Sequence, residues 1–232
     1  MSPRETGLLT LQNSGQVGDI DHWDPINDYY SLCQGVSWLA TQDHPYKWVV
    51  IDTISGMEKN VYMPWLLSQE FEGKIEKFTA YAKDKKYHHD HWKRLLDGLD
   101  TIWRRGVGIL LLSHTDAEKY MHVEGQDFYR YQPRFANKTT WDQIYEWADV
   151  VCFANHVTTT VASGGGLSTK HKGRDTGVRR LYCEGHASWV AKNRYKLPQS
   201  IDMGTTSSEA YQNFMDAFVE AKIKVQGLQQ SQ

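Results

Sequence analysis

Two short runs constrain what this chain can fold into: KWVVID at 47–52 and VGILLLSH at 107–114. In each, apolar residues follow one another without polar alternation, and polar residues take over abruptly at the carboxyl end. Unbroken apolar runs of this length belong to strands of a parallel sheet covered on both faces. The segment between them, DHWKRLLDGLDTIWRRG, places Trp92, Leu95, Leu96, Leu99 and Trp103 on one helical stripe and ends at Gly106, a residue that tolerates the left-handed turn closing a helix. Both strands are expected to end at one rim of the sheet.

The flanking segments extend this pattern. GLLTLQ (7–12) reads as a short strand, and DPINDYYSLCQGVSWLATQ as a helix capped by Asp24 with Pro25 at its first position. Residues 115–138 form a long polar stretch without clear periodicity, followed by a short helix in TTWDQIYEWAD and a strand in VVCFANHVTTTV. A Gly- and Lys-rich loop at 162–177 precedes a strand in VRRLYCEG, and SWVAKNRYKLP reads as the last strand. Thr206 and Glu209 have capping-box spacing ahead of an amphipathic helix with Tyr211, Phe214, Met215 and Phe218 inward. The fold class is therefore α/β, a mostly parallel sheet plus C-terminal antiparallel strands. A single domain over 1–224 with a disordered tail at 225–232 is expected.

Composition narrows the function classes. The 232 residues are 40% hydrophobic and carry a net charge of −2, so bulk charge does not coat nucleic acid and any such binding needs a local patch. Cys33, Cys152 and Cys183 are odd in number and widely spaced. They form neither a disulfide framework nor a zinc spacing, which points to a reducing cytosol. No apolar stretch approaches membrane-spanning length, and the N-terminus lacks the apolar region of a signal peptide. A soluble cytoplasmic protein without membrane association is expected.

Asp52 stands at the carboxyl end of a buried strand, where open α/β sheets bind ligands. Its carboxylate there suits Mg2+ held through a water shell, with Thr53 as a second oxygen; a turn-forming Asp fits the same pattern. Ser113 and His114 end the neighbouring strand, placed to hydrogen-bond a γ-phosphate or to serve structure alone. Lys192 and Arg194, two residues apart on an extended segment, share one side; they suit a phosphate clamp or a charged strand edge. FYRYQPRF interleaves Arg130 and Arg134 with Phe128, Tyr129, Tyr131 and Phe135, the combination that stacks and neutralises single-stranded nucleic acid. Lys170, Lys172 and Arg174 in the glycine-rich loop offer a second grip on phosphates, or a solvated hairpin tip. His88, His89 and His91 in YHHDHW lack the i, i+4 spacing of a helical metal pair.

With these residues in place, the chain resembles the RecA-like ATPases of phages, AAA-family single-domain proteins encoded with recombination or annealing genes. ETGLLTL is similar to the family's second strand, HPYKWVVIDTIS to its Walker B strand, ILLLSHT to its sensor strand, and WADVVCFANHV and AKNRYKLP to its closing strands. The resemblance implies ATP and Mg2+ as cofactors, with Asp52 and Thr53 organising the metal, Glu5 orienting water and His114 sensing the γ-phosphate. It further implies that Ser113, Lys192 and Arg194 complete a nucleotide site in a homo-oligomer, and that the segment after His114 contacts single-stranded DNA. Phage recombination or annealing proteins in the bacterial host cytoplasm are the implied partners. The family's G-x-x-x-x-G-K-[ST] phosphate loop has no match: Gly73-Lys74 lacks a glycine five positions upstream, and Gly164 to Gly166 lack a following Gly-Lys. The expectation is a RecA-like P-loop NTPase core with its first strand and P-loop missing, truncated or degenerate and inactive as an ATPase alone. A non-catalytic single-stranded DNA-binding or scaffold protein is the alternative, and a helicase-type motor a third reading.

Overall fold

The computed structural model describes residues 7–23, 26–79, 83–122, 124–163 and 170–230. Glu5, Asp24, Pro25 and Gly164 to Gly166 lie outside the described residues. Those described fall into two compact units. One runs to Asp116 and includes Pro133–Trp147; the other comprises Ala117–Gln132 and the chain from Ala148 onward.

In the first unit, α1 (Gly7–Asn13) occupies the segment expected as a strand. None of its residues is buried against a sheet that would impose extension, so the choice falls to the modest helix preference of its leucines. Helix α2 (Tyr29–Thr41) is capped by Asp28, whose carboxylate accepts from Ser31 N–H at 2.7 Å. It buries Tyr29, Leu32, Val36 and Leu39 on one face, against α6 (Lys83–Arg104). Gly98 permits that approach, since a Cβ there would stand 2.6 Å from Val36 Cγ1. Trp92, Leu95, Leu96, Leu99 and Ile102 form the buried stripe of α6, whereas Trp103 is exposed. At 3.6 residues per turn, position 102 takes the core side three residues after Leu99, and Trp103 falls beyond it.

Strands β1 (Trp48–Ile51) and β2 (Gly108–Leu111) pair in parallel, Trp48 opposite Gly108 and Ile51 opposite Leu111. Gly108 leaves room for the Trp48 ring, whose Cε3 would lie 2.4 Å from a Cβ at that position. This pair is the part of the expected parallel sheet that is observed; three strand ladders of the second unit are antiparallel. Nor are both faces covered: Val49 and Ile51 are buried, while Trp48, Val50, Leu110 and Leu112 are exposed. After β1 the chain continues through α3 (Ile54–Met57), a π-helical turn at Glu58–Tyr62, and α4 (Met63–Glu70). Pro64 has no N–H and its ring crowds the carbonyl of an α-helical preceding turn, so widening that turn relieves the clash. Short α5 (Ile75–Thr79) leads to α6, and α7 (Lys138–Trp147) packs on α6 through Ile144 and a Trp147 Nε1–H bond to Asp100.

In the polar stretch after β2, β3 (Thr115–Tyr120) and β4 (Phe128–Pro133) form a two-stranded sheet. Their connection is too short for a parallel crossover, so the pair is a hairpin. Along β4 the aromatic and Arg side chains noted in the sequence alternate with strand period, though neither face is apolar enough to mark a strand there.

The second unit is built on β6 (Phe153–Ser163) and β7 (Lys170–Tyr182), paired antiparallel with a bulge between His156 and Thr158. Lys170, Lys172 and Arg174 thus stand on a strand, where a loop was expected. Strand β9 (Ser200–Asp202) pairs with β7, and short β5 (Val150–Val151) pairs with β8 (Lys192–Asn193). Helix α8 (Ser207–Gln230) begins at a capping box: Glu209 accepts from the N–H groups of Thr205 and Thr206, and Thr206 Oγ1 accepts from Glu209 N–H. Ala217 and Ala221 are buried with Cys183, Leu197 and Ile201, and Phe214 and Phe218 pack beside them. Tyr211, expected inward, is exposed, because the face toward β9 follows Phe214, Ala217 and Ala221. The helix continues to Gln230 through most of the segment expected as a tail.

Candidate functional site

The rim at the carboxyl ends of β1 and β2 is assembled by a chain of local bonds. Ile54 N–H donates to Leu112 O at 2.8 Å, and Leu112 N–H to Ile51 O at 3.0 Å, so the parallel pairing extends past both strands. Thr53 is the N-cap of α3: its hydroxyl oxygen accepts from Gly56 N–H at 3.0 Å and from the Ser55 hydroxyl at 3.3 Å. Ser55 Oγ in turn accepts from His114 N–H at 3.2 Å. Asp52, Thr53, Ser113 and His114 are thereby held together on adjoining turns. Asp52 and His114 are exposed, Ser113 is half-buried and Thr53 is buried. The peptide bond between Asp52 and Thr53 is cis.

This donor set offers hard-oxygen chemistry unevenly. Asp52 presents a solvent-facing carboxylate of the kind Mg2+ takes while keeping its waters. The Thr53 oxygen is occupied in capping α3, and the Ser113 hydroxyl donates to His114 O at 2.9 Å. Ser55, not singled out in the sequence, bridges Thr53 to His114; a serine four residues beyond a strand carries no signal that could have marked it.

Directly behind the rim lies a buried carboxylate that the sequence did not indicate. Glu58, 1% exposed, accepts from Ala136 N–H at 2.6 Å, and its other oxygen lies 3.7 Å from His88 Nδ1. His88 Nδ1 is also 2.8 Å from Thr140 Oγ1. Burial pushes the Glu58 carboxyl above the usual range, opposed by hydrogen bonds from Ala136, Thr140 and Asn137. Glu58 thus ties the turn after Asp52 to the segment where the hairpin returns. The hairpin base is closed at the rim as well: Arg134 N–H donates to His114 O at 2.8 Å. The Arg134 guanidinium makes two 2.7 Å bonds to Asp116, and they hold that carboxyl below its usual range.

Along the hairpin, Tyr129 is 70% exposed and Tyr131 42%. The Arg130 guanidinium lies 4.1 Å from the centre of the Tyr120 ring, a cation–π arrangement. Gln132 Nε2 bonds to Glu118 across the strands. Tyr131 stacks on Phe153 at 5.2 Å and is bridged to Trp189, whose ring continues the aromatic row onto Tyr182 and His186.

In the second unit, Arg194 is anchored to Asp149 by its backbone N–H, at 3.0 Å, and by a 2.9 Å side-chain bond. Lys192 is opposite Val151 in β8. Arg174 is exposed on β7. Glu5 lies outside the described residues. No group of three or more potential metal ligands occurs among the described residues. Among them no helix is long and apolar enough to cross a membrane.

A family model described as an AAA domain matches residues 5–195. No curated protein and no solved structure matches the chain. The match spans most of the chain, including both strands of the rim and the segment through Arg194, and the chain therefore belongs to the AAA-domain family of nucleotide-binding ATPases.

Proposed function

We propose that this protein is a RecA-like phage ATPase that acts on single-stranded DNA in recombination or annealing. The observation that supports it most is the rim itself: an exposed Asp52 at the end of a parallel strand, beside His114 on the next, in a chain of the AAA-domain family. Mg2+ bound with ATP would supply charge neutralisation for phosphoryl transfer. Asp52 binds it through an exposed carboxylate, and Thr53, by capping α3, orients the turn that holds Asp52. His114, its backbone fixed by Ser55, faces the same rim as γ-phosphate sensor, with Ser113 at its side. In this reading Glu5 orients the attacking water, and Lys192 and Arg194 reach nucleotide in a homo-oligomer. The phosphate loop, for which the sequence has no match, has to be supplied to this chain. Walker B therefore describes the role proposed for the strand ending at Asp52, and the host cytoplasm is the compartment proposed.

Single-stranded DNA is assigned to the hairpin because Tyr129 and Tyr131 are exposed on one face of β4, with Arg130 on its other face over the Tyr120 ring. Arg134 joins only by exchanging Asp116 for a phosphate. Lys170, Lys172 and Arg174 provide the second contact. The exposed aromatics equally favour a second reading, a non-catalytic single-strand binder that uses this hairpin without turnover.

The test is Mg2+-dependent ATP hydrolysis by the protein supplied with a G-x-x-x-x-G-K-[ST] segment, compared with the same protein carrying Asp52→Ala. Turnover is expected to vanish while the circular dichroism spectrum is unchanged. Turnover retained in Asp52→Ala sinks the assignment, and DNA binding without any turnover in the parent protein selects the second reading.

A further inference from the structure

Cys152 and Cys183 are 31 positions apart in sequence, yet their Sγ atoms lie 3.5 Å apart. Strand register brings them together. Phe153 pairs with Tyr182 at the end of the β6–β7 ladder, so the next residues outward, Cys152 and Cys183, face each other across it. The site is also where the chain changes partner: Val151 pairs with Lys192 on β8, and Phe153 pairs with β7. Cys183 is fully buried among Leu197, Ile201, Ala217 and Ala221, its N–H donating to Gln199 O at 2.9 Å, while Cys152 is partly accessible. A disulfide needs the sulfurs near 2 Å, about 1.5 Å closer than here, a distance that small side-chain rotations cover when the Cβ atoms already face one another.

We propose that Cys152 and Cys183 form a redox-active dithiol that hydroperoxides close to a disulfide, locking the junction of β5, β6 and β7. The Cys152 S–H lies against the Cys183 sulfur at 3.5 Å. The Cys152 sulfur, the more accessible of the two, attacks one oxygen of hydrogen peroxide as it gives up its proton. The O–O bond breaks, the departing hydroxide takes up that proton as water, and Cys152 becomes a sulfenic acid. The Cys183 sulfur, losing its proton, then attacks the Cys152 sulfur; the S–S bond forms, the S–O bond breaks, and a second water leaves. Two thiols give up two electrons and the peroxide accepts them. A small molecular disulfide can take the place of the peroxide by exchange through the more accessible Cys152. Closure fixes the residues immediately before Cys152, which hold Lys192 by strand pairing and Arg194 through Asp149.

The experiment uses the full chain, reduced, freed of reductant and treated with a small molar excess of hydrogen peroxide. Intact mass and peptide mapping without reductant are then read, and Cys33, half-buried in the other unit, serves as an internal control thiol. The expected result is loss of two hydrogen masses and a linked peptide pair containing Cys152 and Cys183, both reversed by dithiothreitol. Cys152→Ser and Cys183→Ser should each abolish the linked species. Oxygen added to the two cysteines separately without linkage overturns the proposal. So does preferential oxidation of Cys33 with the pair left as thiols, or an unchanged protein.

Discussion

Glu58 offers the sharpest test of how the rim is held. Removing its side chain by Glu58→Ala deletes a charge-assisted bond from Ala136 N–H, worth about 1.5–3 kcal/mol, and one buried methylene at about 0.8 kcal/mol. Against this stands relief of a carboxylate whose burial disfavours its charged form, so the net cost is about 1–3 kcal/mol. Glu58→Gln keeps the shape and the acceptor without the charge, and is expected within about 1 kcal/mol of the parent at neutral pH. The pH dependence has a definite sign. Burial raises the Glu58 carboxyl above its ordinary 4.5, so the folded state prefers the protonated form. The associated stabilisation is fully present below the unfolded value and is lost as pH rises through the raised folded value. Relative to the parent, Glu58→Gln should therefore gain stability as pH climbs above about 4.5 and lose that gain below it. Urea unfolding at constant slope gives the differences directly, and amide exchange at Ala136 reports the local bond. An alanine variant within about 0.5 kcal/mol of the parent, the margin typical of an inert surface substitution, together with a flat pH difference for glutamine, would refute this account of the tether.

Further outcomes follow from the same geometry. Glu209 is held to about 2 by the N–H groups of Thr205 and Thr206; its contribution to the start of α8 is present above 4.5 and is lost as pH falls toward 2. A helix signal in circular dichroism that is equally acid-sensitive in Glu209→Gln argues against the cap. Replacing Arg130 and Arg134 with Ala should weaken single-stranded DNA binding and make its salt dependence shallower, by a slope of roughly 0.7 for every phosphate no longer neutralised. Unchanged binding removes the hairpin from the interface. Closing the Cys152–Cys183 loop should raise stability by about 3–4 kcal/mol on the chain-entropy account, seen as a higher melting temperature of the oxidised protein. No rise on oxidation means that the native geometry resists closure.

How much of this was legible in the sequence depends on the kind of signal. The β1–β2 pair and most of α6 were readable because apolar order specifies them, as with Val49, Ile51, Trp92, Leu95, Leu96 and Leu99; the end of the helical stripe, at Ile102 instead of Trp103, was not. The Thr206–Glu209 cap was equally readable, being a local hydrogen-bond pattern. GLLTLQ misleads because a short apolar run has no intrinsic preference strong enough to decide between strand and helix without its neighbours. The hairpin after His114 was not read as strands because aromatic and polar side chains stand on both its faces, so period two separates no apolar face from a polar one. The Glu58–His88–Thr140 cluster and the cysteine pair arise from residues far apart in sequence, brought together by packing that no local pattern encodes. The parts of the rim that were anticipated, Asp52, Ser113 and His114, lie on strand ends; the parts that were not, Ser55 and Glu58, lie on the helix those ends lead into.

The closure of the hairpin at its base has a consequence for how this protein can change over time. Arg134 N–H to His114 O, reinforced by the Arg134–Asp116 pair, brings the strand ends of the insertion together. Whatever lies between β3 and β4 is therefore tethered at both ends by bonds it does not itself make. Such a tip can be lengthened, shortened or exchanged with little demand on the turns that carry Asp52 and His114. Any contact added there is free to diverge at a different pace from the chemistry of the rim and from the aromatic face of β4.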